Sequence, residues 1–284
     1  MKKINGITTE QKNFLKEFKC VRISSDRKYD DMTVDFECKR NDGLVERLQS
    51  KAFNEDKNGE IAHYLIVHDD MPIFYFALKS GSLFTPLEHD LQEMGNEILN
   101  QWGTLYPNIN ITDLSSIVKE VLNQSTYEYP YELVKICDEY DDLCKDVKLE
   151  KNTPAIQVMH TYSGIEMVIF CANDNATKLW EKYDIPHTLG KTMFWSKIVP
   201  ILLRTRRIIG CQYCFLFAAD DSPDETLVNY YEADLKFQRI TNFGSTKPKY
   251  DFRCVSMFCD MRELESHRKR FFNTFNLKEK SYKF

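Results

Sequence analysis

Six consecutive residues, Tyr213–Ala218 (YCFLFA), are apolar on both of the faces that a strand presents. A strand of this kind is stable only where both sides of its sheet are covered, because either bare side would leave apolar surface in water. It predicts a layered α/β fold with this strand at the centre. The neighbouring chain agrees. Thr192–Ile209 follows Gly190, has helical character and stops at Gly210, the residue type that most readily closes a helix. Pro200 lies inside it and predicts a kink or break, since proline lacks an N–H and crowds the preceding turn. After the strand, Ala219-Asp220-Asp221 reads as a turn, either capping the next helix or holding Mg²⁺ at its two acids. Ser222-Pro223-Asp224-Glu225 opens a helix running to about Leu235, with Pro in its first turn and acids at its positive end.

The rest of the chain divides by pattern. Thr9–Lys19 predicts a short helix capped by Thr8 or Thr9, Val21–Arg40 a loosely alternating strand, and Asp42–Phe53 a helix on Leu44, Leu48 and Phe53. Tyr64–His68 and Ile73–Leu78 flank Asp69-Asp70-Met71-Pro72 and predict a hairpin. Leu87–Trp102, Asp113–Asn123 and Tyr131–Asp146 read as helices, and the polar Lys148–Pro154 as a break. Strand character returns in Ala155–Met159 and Ile165–Ala172, followed by an amphipathic stretch at Asn175–Tyr183. Two more β-type runs, Phe237–Asn242 and Phe252–Phe258, precede a basic helix near Met261–Asn276. The expected divisions are 1–86, a helical insertion at 87–152, a core at 153–260 and the basic C-terminal helix at 261–284.

With 284 residues, 43% of them hydrophobic, the chain can bury a large core. Its formal net charge of −5 argues against a strong non-specific grip on nucleic acid. Arg204, Arg206 and Arg207, and Arg262 with His267–Arg270, are the places where a local basic patch could form; a solvated helix face gives the same pattern. The charged start has no apolar leader, and no stretch reaches the roughly 18 apolar residues of a membrane span. Nine cysteines, several in apolar runs, read as reduced core thiols of a cytoplasmic protein, Cys211 and Cys214 included. Phe194, Trp195 and Ile198 form a helix stripe suited to the core.

The order of strand, glycine-bearing loop, long helix, apolar strand, Asp-rich turn, Tyr-bearing helix and final hairpin resembles the GNAT N-acetyltransferase superfamily, its toxin-like and single-substrate bacterial branches above all. The resemblance spans about residues 40–85 and 155–260. It implies a mixed, twisted sheet of about seven strands flanked by helices, the acyl-CoA N-acyltransferase fold, with the insertion outside it. It also implies transfer of an acetyl group from acetyl-CoA, a cosubstrate, to a primary amine without a metal. His187, Leu189, Gly190, Lys191 and Thr192 fall on the family's phosphate loop, which here keeps only the middle glycine. A helix start after a glycine offers N–H donors and positive potential to a pyrophosphate; an ordinary helix start looks the same. Phe170, Cys171 and Ala172 fall on the strand whose backbone pairs with pantetheine. Tyr231 takes the position of the acid that protonates the departing thiolate, with Tyr230 as its alternative. Asp224 stands where Asn is usual, Leu227 where Ala is, and Lys236 where Gly is. Glu166 falls where a general base is often found, with His160 as the competing base. The acceptor stays open among small molecules, proteins and aminoacyl-tRNA. The alternatives are a catalytically impaired CoA- or partner-binding module and a GNAT-type toxin acetylating aminoacyl-tRNA; a second copy of the chain is a candidate partner, and no membrane partner is expected.

Overall fold

Two aspartates make the first hairpin. Asp69 and Asp70 both take positive φ, 46° and 59°, the backbone of a two-residue turn whose twist matches that of paired strands. It joins β2 (Ala62–His68) directly to β3 (Met71–Pro86), so Met71 and Pro72 belong to the strand rather than to the expected linker. Pro72, which cannot donate to the ladder, lies opposite Val67 where the register shifts. On the other side of β2 lies β1 (Lys19–Arg22), with Val21 opposite Leu65. The longer strand expected over Val21–Arg40 does not form. The chain leaves β1 through a 3₁₀ turn at Ile23–Ser25, α2 (Arg27–Asp31) and a second 3₁₀ turn at Met32–Asp35; Asp26 caps α2 by accepting the N–H of Lys28.

A computed structural model describes residues 5–39, 41–108, 113–123, 128–149, 158–176, 180–181, 185–220, 222–241, 243–245 and 254–277. They fall into two units, one of Met1–Ser82, Tyr162–Thr241 and Thr246–Phe284, the other of Leu83–Thr161 and Asn242–Ser245.

In the first unit, α1 (Thr9–Glu17) starts at the expected Thr8, which exchanges hydrogen bonds with Gln11 in a capping box. The helix expected over Asp42–Phe53 breaks at Lys51 into α3 (Asp42–Ser50) and α4 (Ala52–Lys57). β4 (Val158–Ala172) is one long strand where two runs were expected. The central strand β5 (Tyr213–Ala219) lies parallel to β4 and antiparallel to β8 (Cys254–Asp260), while β6 (Gln238–Arg239) pairs the far side of β8. The order β1-β2-β3-β4-β5-β8-β6, with β7 (Gly244–Ser245) paired to β3 off this path, gives a mixed eight-stranded sheet. One face packs on a large core with Phe74, Met193, Trp195 and Tyr231, the other on a smaller one with Phe36, Leu48, Tyr75 and Cys171. Cys214, Leu216 and Ala218 place one face of β5 in the larger core, while on the other face the ring of Phe215 is buried against Gly81 and Gly164.

The expected long helix forms in three parts: α8 (Leu189–Met193), a π-turn (Phe194–Ile198) and α9 (Val199–Ile209), closed by Gly210 at φ 72°. The π-turn ends beside Pro200; its wider spacing gives room to the carbonyl that the proline ring would otherwise crowd. Phe194, Trp195 and Ile198 are buried, in line with a core stripe. α10 (Thr226–Leu235) ends where expected but starts four residues later than Ser222. Its cap is Asp220, whose Oδ2 accepts the N–H groups of Leu227 and Val228 at 2.8 and 3.0 Å; Asp221 lies outside the described residues. The last helix is α11 (Leu264–Asn273).

In the second unit, Leu83 and Phe84 at the end of β3 pair with β7 (Gly244–Ser245). The expected helices form as α5 (Leu87–Leu105), α6 (Leu114–Asn123) and α7 (Tyr131–Leu149), around Ile98, Trp102, Ile117, Val121, Leu133 and Cys137. Most of Lys148–Pro154 and much of Asn175–Tyr183 lie outside the described residues. Among the described residues no helix is long and apolar enough to cross a membrane. All nine cysteines are free thiols, and Cys211 and Cys214 are buried.

Candidate active site

The site begins where two parallel strands part. Gly164, Ile165 and Glu166 of β4 lie opposite Tyr213, Cys214 and Phe215 of β5. β5 stays paired with β8 as far as Ala219, but its pairing with β4 stops at Glu166. The β5-facing N–H and C=O groups of Met167–Ala172 therefore have no ladder partner in β5, and backbone groups left so need other acceptors and donors. The side chains record a local irregularity. Ile165 and Met167 pack in the larger core, yet Ile169 and Cys171 pack in the smaller one, with Phe170 and Ala172 against the larger. In an unbroken strand these parities could not switch, so one extra residue is accommodated near Val168, as in a bulge. The ring of Phe215 marks the last paired position. A Cβ on Gly164 would stand 2.9 Å from it and one on Gly81 2.5 Å, so these two glycines leave the room it fills.

Against this segment lies the start of α8. Thr188, not Gly190, is its cap: Thr188 Oγ1 accepts the Lys191 N–H at 3.3 Å, and the Thr188 carbonyl takes that of Thr192. The N–H groups of Leu189 and Gly190 have no acceptor among the described residues, which leaves two donors at a helix N-terminus. The side chains expected to help a phosphate are committed elsewhere. Lys191 is buried and its Nζ lies 2.6 Å from Asp234 Oδ1. Thr192 donates its hydroxyl to the Thr188 carbonyl at 3.0 Å. His187 is buried between the rings of Phe271 and Phe275, at 4.9 and 5.0 Å. Gly190 is needed for packing: a Cβ there would stand 2.7 Å from Tyr230 Oη and 3.3 Å from the Phe170 ring. Helix start and strand are thus adjacent, and the Cα side of Gly190 is filled.

Tyr231, on α10, faces the same strand, its ring 6.1 Å from that of Phe170. It is buried, and burial pushes its phenol well up, with Cys171 and Asp220 adding to the rise. It is a neutral proton donor throughout the physiological range. Tyr230 is spoken for, hydrogen-bonded to the Thr188 side chain beside Gly190. Asp224 is exposed and outside α10; its carbonyl accepts from Asn229 Nδ2. Sequence reasoning missed Asp234, Thr188 as the cap, and the reach of Asp220. Asp220, at the end of an apolar strand and ahead of a Ser, carried a capping signal; Asp234 carried none.

Glu166 occupies the last paired position of β4 and is buried; burial raises its carboxyl above the ordinary range, against the fields of Lys79 and Arg47. A raised carboxylate costs the fold stability as pH climbs through its pKa, because the folded state holds a proton that the unfolded state has released. Glu166→Gln is therefore expected to raise the melting temperature at pH 7 and to leave it unchanged below pH 4. A lower melting temperature at pH 7 would reject this account. His160 is exposed, in the part of β4 that belongs to the second unit. Among the described residues no group of three or more His, Cys, Asp or Glu could hold a metal.

The parted parallel strands, the adjoining helix start and the buried phenol come together in a mixed α/β protein. No family model matches the chain, and no curated protein does. Among solved structures it is similar to AtaTR bound with acetyl-CoA (TM-score 0.46, 10% identity, 89% of this chain and 98% of that one). It is also similar to AtaT complexed with acetyl-methionyl-tRNAfMet (0.46, 9%, 88% and 99%) and to the KacTA–DNA complex (0.47, 9%, 89% and 99%).

Proposed function

We propose that this chain transfers an acetyl group from acetyl-CoA to a primary amine. The observation that carries the reading is the parting of β4 from β5 directly beside the start of α8 and the Tyr231 phenol. The backbone edge of Phe170–Ala172, which has left β5, would pair with the pantetheine amides, and the N–H groups of Leu189 and Gly190 would meet phosphate. An N–H of Met167–Ala172 would polarise the thioester carbonyl as charge develops on its oxygen. The amine attacks once deprotonated, through Glu166, His160 or water, and Tyr231 gives its proton to the leaving sulfur. Holding amine and thioester together supplies much of the rate.

The test is thermal unfolding with acetyl-CoA, followed by release of free thiol with small amines, peptide N-termini and aminoacyl-tRNA as acceptors. At a hundredfold excess over Kd the fold should gain about 2.7 kcal/mol. No stabilisation at millimolar acetyl-CoA would end the proposal, and binding without turnover on any acceptor would leave a CoA-binding module. The aminoacyl-tRNA arm has an observation of its own. Arg204 and Arg207 of α9 and Arg268 of α11 converge, with Glu265, on a cavity of about 350 Å³, so two basic runs far apart in sequence share one surface. Turnover on that arm should fall steeply with salt.

A further inference from the structure

Pro200, Leu203, Arg204 and Arg207 recur at helical spacing along α9 and form one wall of the cavity of about 350 Å³; Glu265 and Arg268 of α11 form the other. The proline explains how Arg268 comes to be fixed there. In the π-turn the N–H of Val199 bonds the Phe194 carbonyl, five residues back. Pro200 stands where the next donor would be and has no N–H. The Trp195 carbonyl therefore takes its hydrogen bond from outside the helix, from Arg268 Nε at 2.8 Å. That bond, and the face of the Phe272 ring 5.1 Å from the guanidinium carbon, hold the group at the cavity wall.

The charges around the cavity do not balance. Arg206 is spent on the Met261 carbonyl, at 3.1 Å. Arg204 and Arg207 are exposed and have no hydrogen-bond or ion-pair partner among the described residues. Arg268 is half-buried, and the loss of water pulls its guanidinium below the usual value. The carboxylate that lines the cavity, Glu265, is already held by Lys269 at 2.9 Å. Three guanidiniums thus surround a concavity whose one acid is paired elsewhere, and such a concavity concentrates positive potential. Each guanidinium is a planar fork whose N–H groups match the oxygens of a phosphate two at a time.

Charge and size narrow the occupant. A lone phosphate group brings about two negative charges at pH 7, fewer than the three guanidiniums offer, whereas a chain of two or three phosphates matches them. The cavity lies at the small end of the roughly 300–1,000 Å³ that hold small molecules. An RNA backbone, by contrast, is gripped by cations spread along a face, and the chain as a whole carries −5. At 1.5 Å of rise per residue, Arg204 lies about 20 Å along the helix from Gly190. A pyrophosphate met by the Leu189 and Gly190 N–H groups is therefore beyond the reach of these side chains.

We propose that Arg204, Arg207 and Arg268 form a second anion site, one that takes the oligophosphate chain of a small ligand and is separate from the place of acetyl transfer. Arg268 is the fixed member, held by the carbonyl that Pro200 leaves open, and the two arginines of α9 close on the phosphates from the other wall.

Titration calorimetry of the full chain with sodium tripolyphosphate at low ionic strength tests the site. One ion should bind per chain, and Arg204→Gln with Arg207→Gln should weaken it about tenfold or more. Both side chains are exposed, so this double variant should melt where the wild type does. Arg268→Lys keeps the charge and loses the fork, and it should weaken binding as well; if it does not fold, the double variant decides alone. Saturating acetyl-CoA should leave the tripolyphosphate affinity unchanged. No binding by the wild type, or equal affinity in the double variant, would overturn the proposal. Competition by acetyl-CoA would place the ion at the transfer site and overturn it too. Binding of tRNA without binding of tripolyphosphate would do the same and give the arginines to RNA. None of these readings depends on turnover, so thiol release with acetyl-CoA stands or falls separately.

Discussion

Tyr231→Phe is expected to lower kcat for acetyl-CoA-dependent thiol release by about 10²-fold, with KM for acetyl-CoA and the melting temperature little changed. The ring contacts survive, since phenylalanine still reaches Phe170 and Phe237, both with centroids 6.1 Å away. What is lost is a neutral O–H facing the parted strand, and that donor matters only as negative charge builds on sulfur. A loss confined to the transition state appears in kcat and not in KM. Because burial raises this phenol, its donor form persists beyond the ordinary range of tyrosine. A fall of rate in mildly alkaline solution therefore has another origin. Tyr230→Phe is the control. It should cost about 1 kcal/mol through the lost bond to Thr188 and retain most of kcat. If Tyr230→Phe abolishes turnover and Tyr231→Phe does not, the acid role passes to Tyr230.

The parts of this fold that could be read in advance are those fixed by local chemistry. Tyr213–Ala218 is an interior strand, flanked by β4 and β8, Asp69-Asp70 sat between two β-rich runs, and Thr8 with Gln11 is a complete capping box within one turn. Val21–Arg40 was misread because Asp26 and three successive short turns satisfy the backbone there, overriding a weak alternation. The start of α10 was misplaced because its cap reaches seven residues along the chain from Asp220, past the Ser-Pro that looked like the opening. Two further features lay beyond single-sequence reasoning. The parting of β4 from β5 depends on where pairing stops, and nothing in IEMVIFCA marks the stop except Glu166 itself. The hydrogen bonds that link Glu55, His63 and Tyr75 depend on hairpin register, which a sequence gives only after its turn has been fixed.

Lys191 shows how a residue's neighbours decide between two readings of the same charge. Beside Gly190 at a helix start it looks like a phosphate ligand; in the fold its ammonium is buried against Asp234, both side chains only 6% exposed. Removing one member of such a pair strands the other, which costs about 3–5 kcal/mol. Lys191→Met is therefore expected to lower the melting temperature by about 6–20 °C, taking 2–4 °C per kcal/mol for a chain of this size. The cost falls on Asp234, whose Oδ2 already lacks a hydrogen-bond partner and whose Oδ1 then loses its cation. Lys191→Met with Asp234→Leu removes both charges and should recover most of the loss. Acetyl-CoA should still stabilise the double variant, since phosphate was to be met by the Leu189 and Gly190 N–H groups. A single variant as stable as the wild type would show that the pair is solvated, and loss of acetyl-CoA binding in the double variant would return Lys191 to the phosphate site.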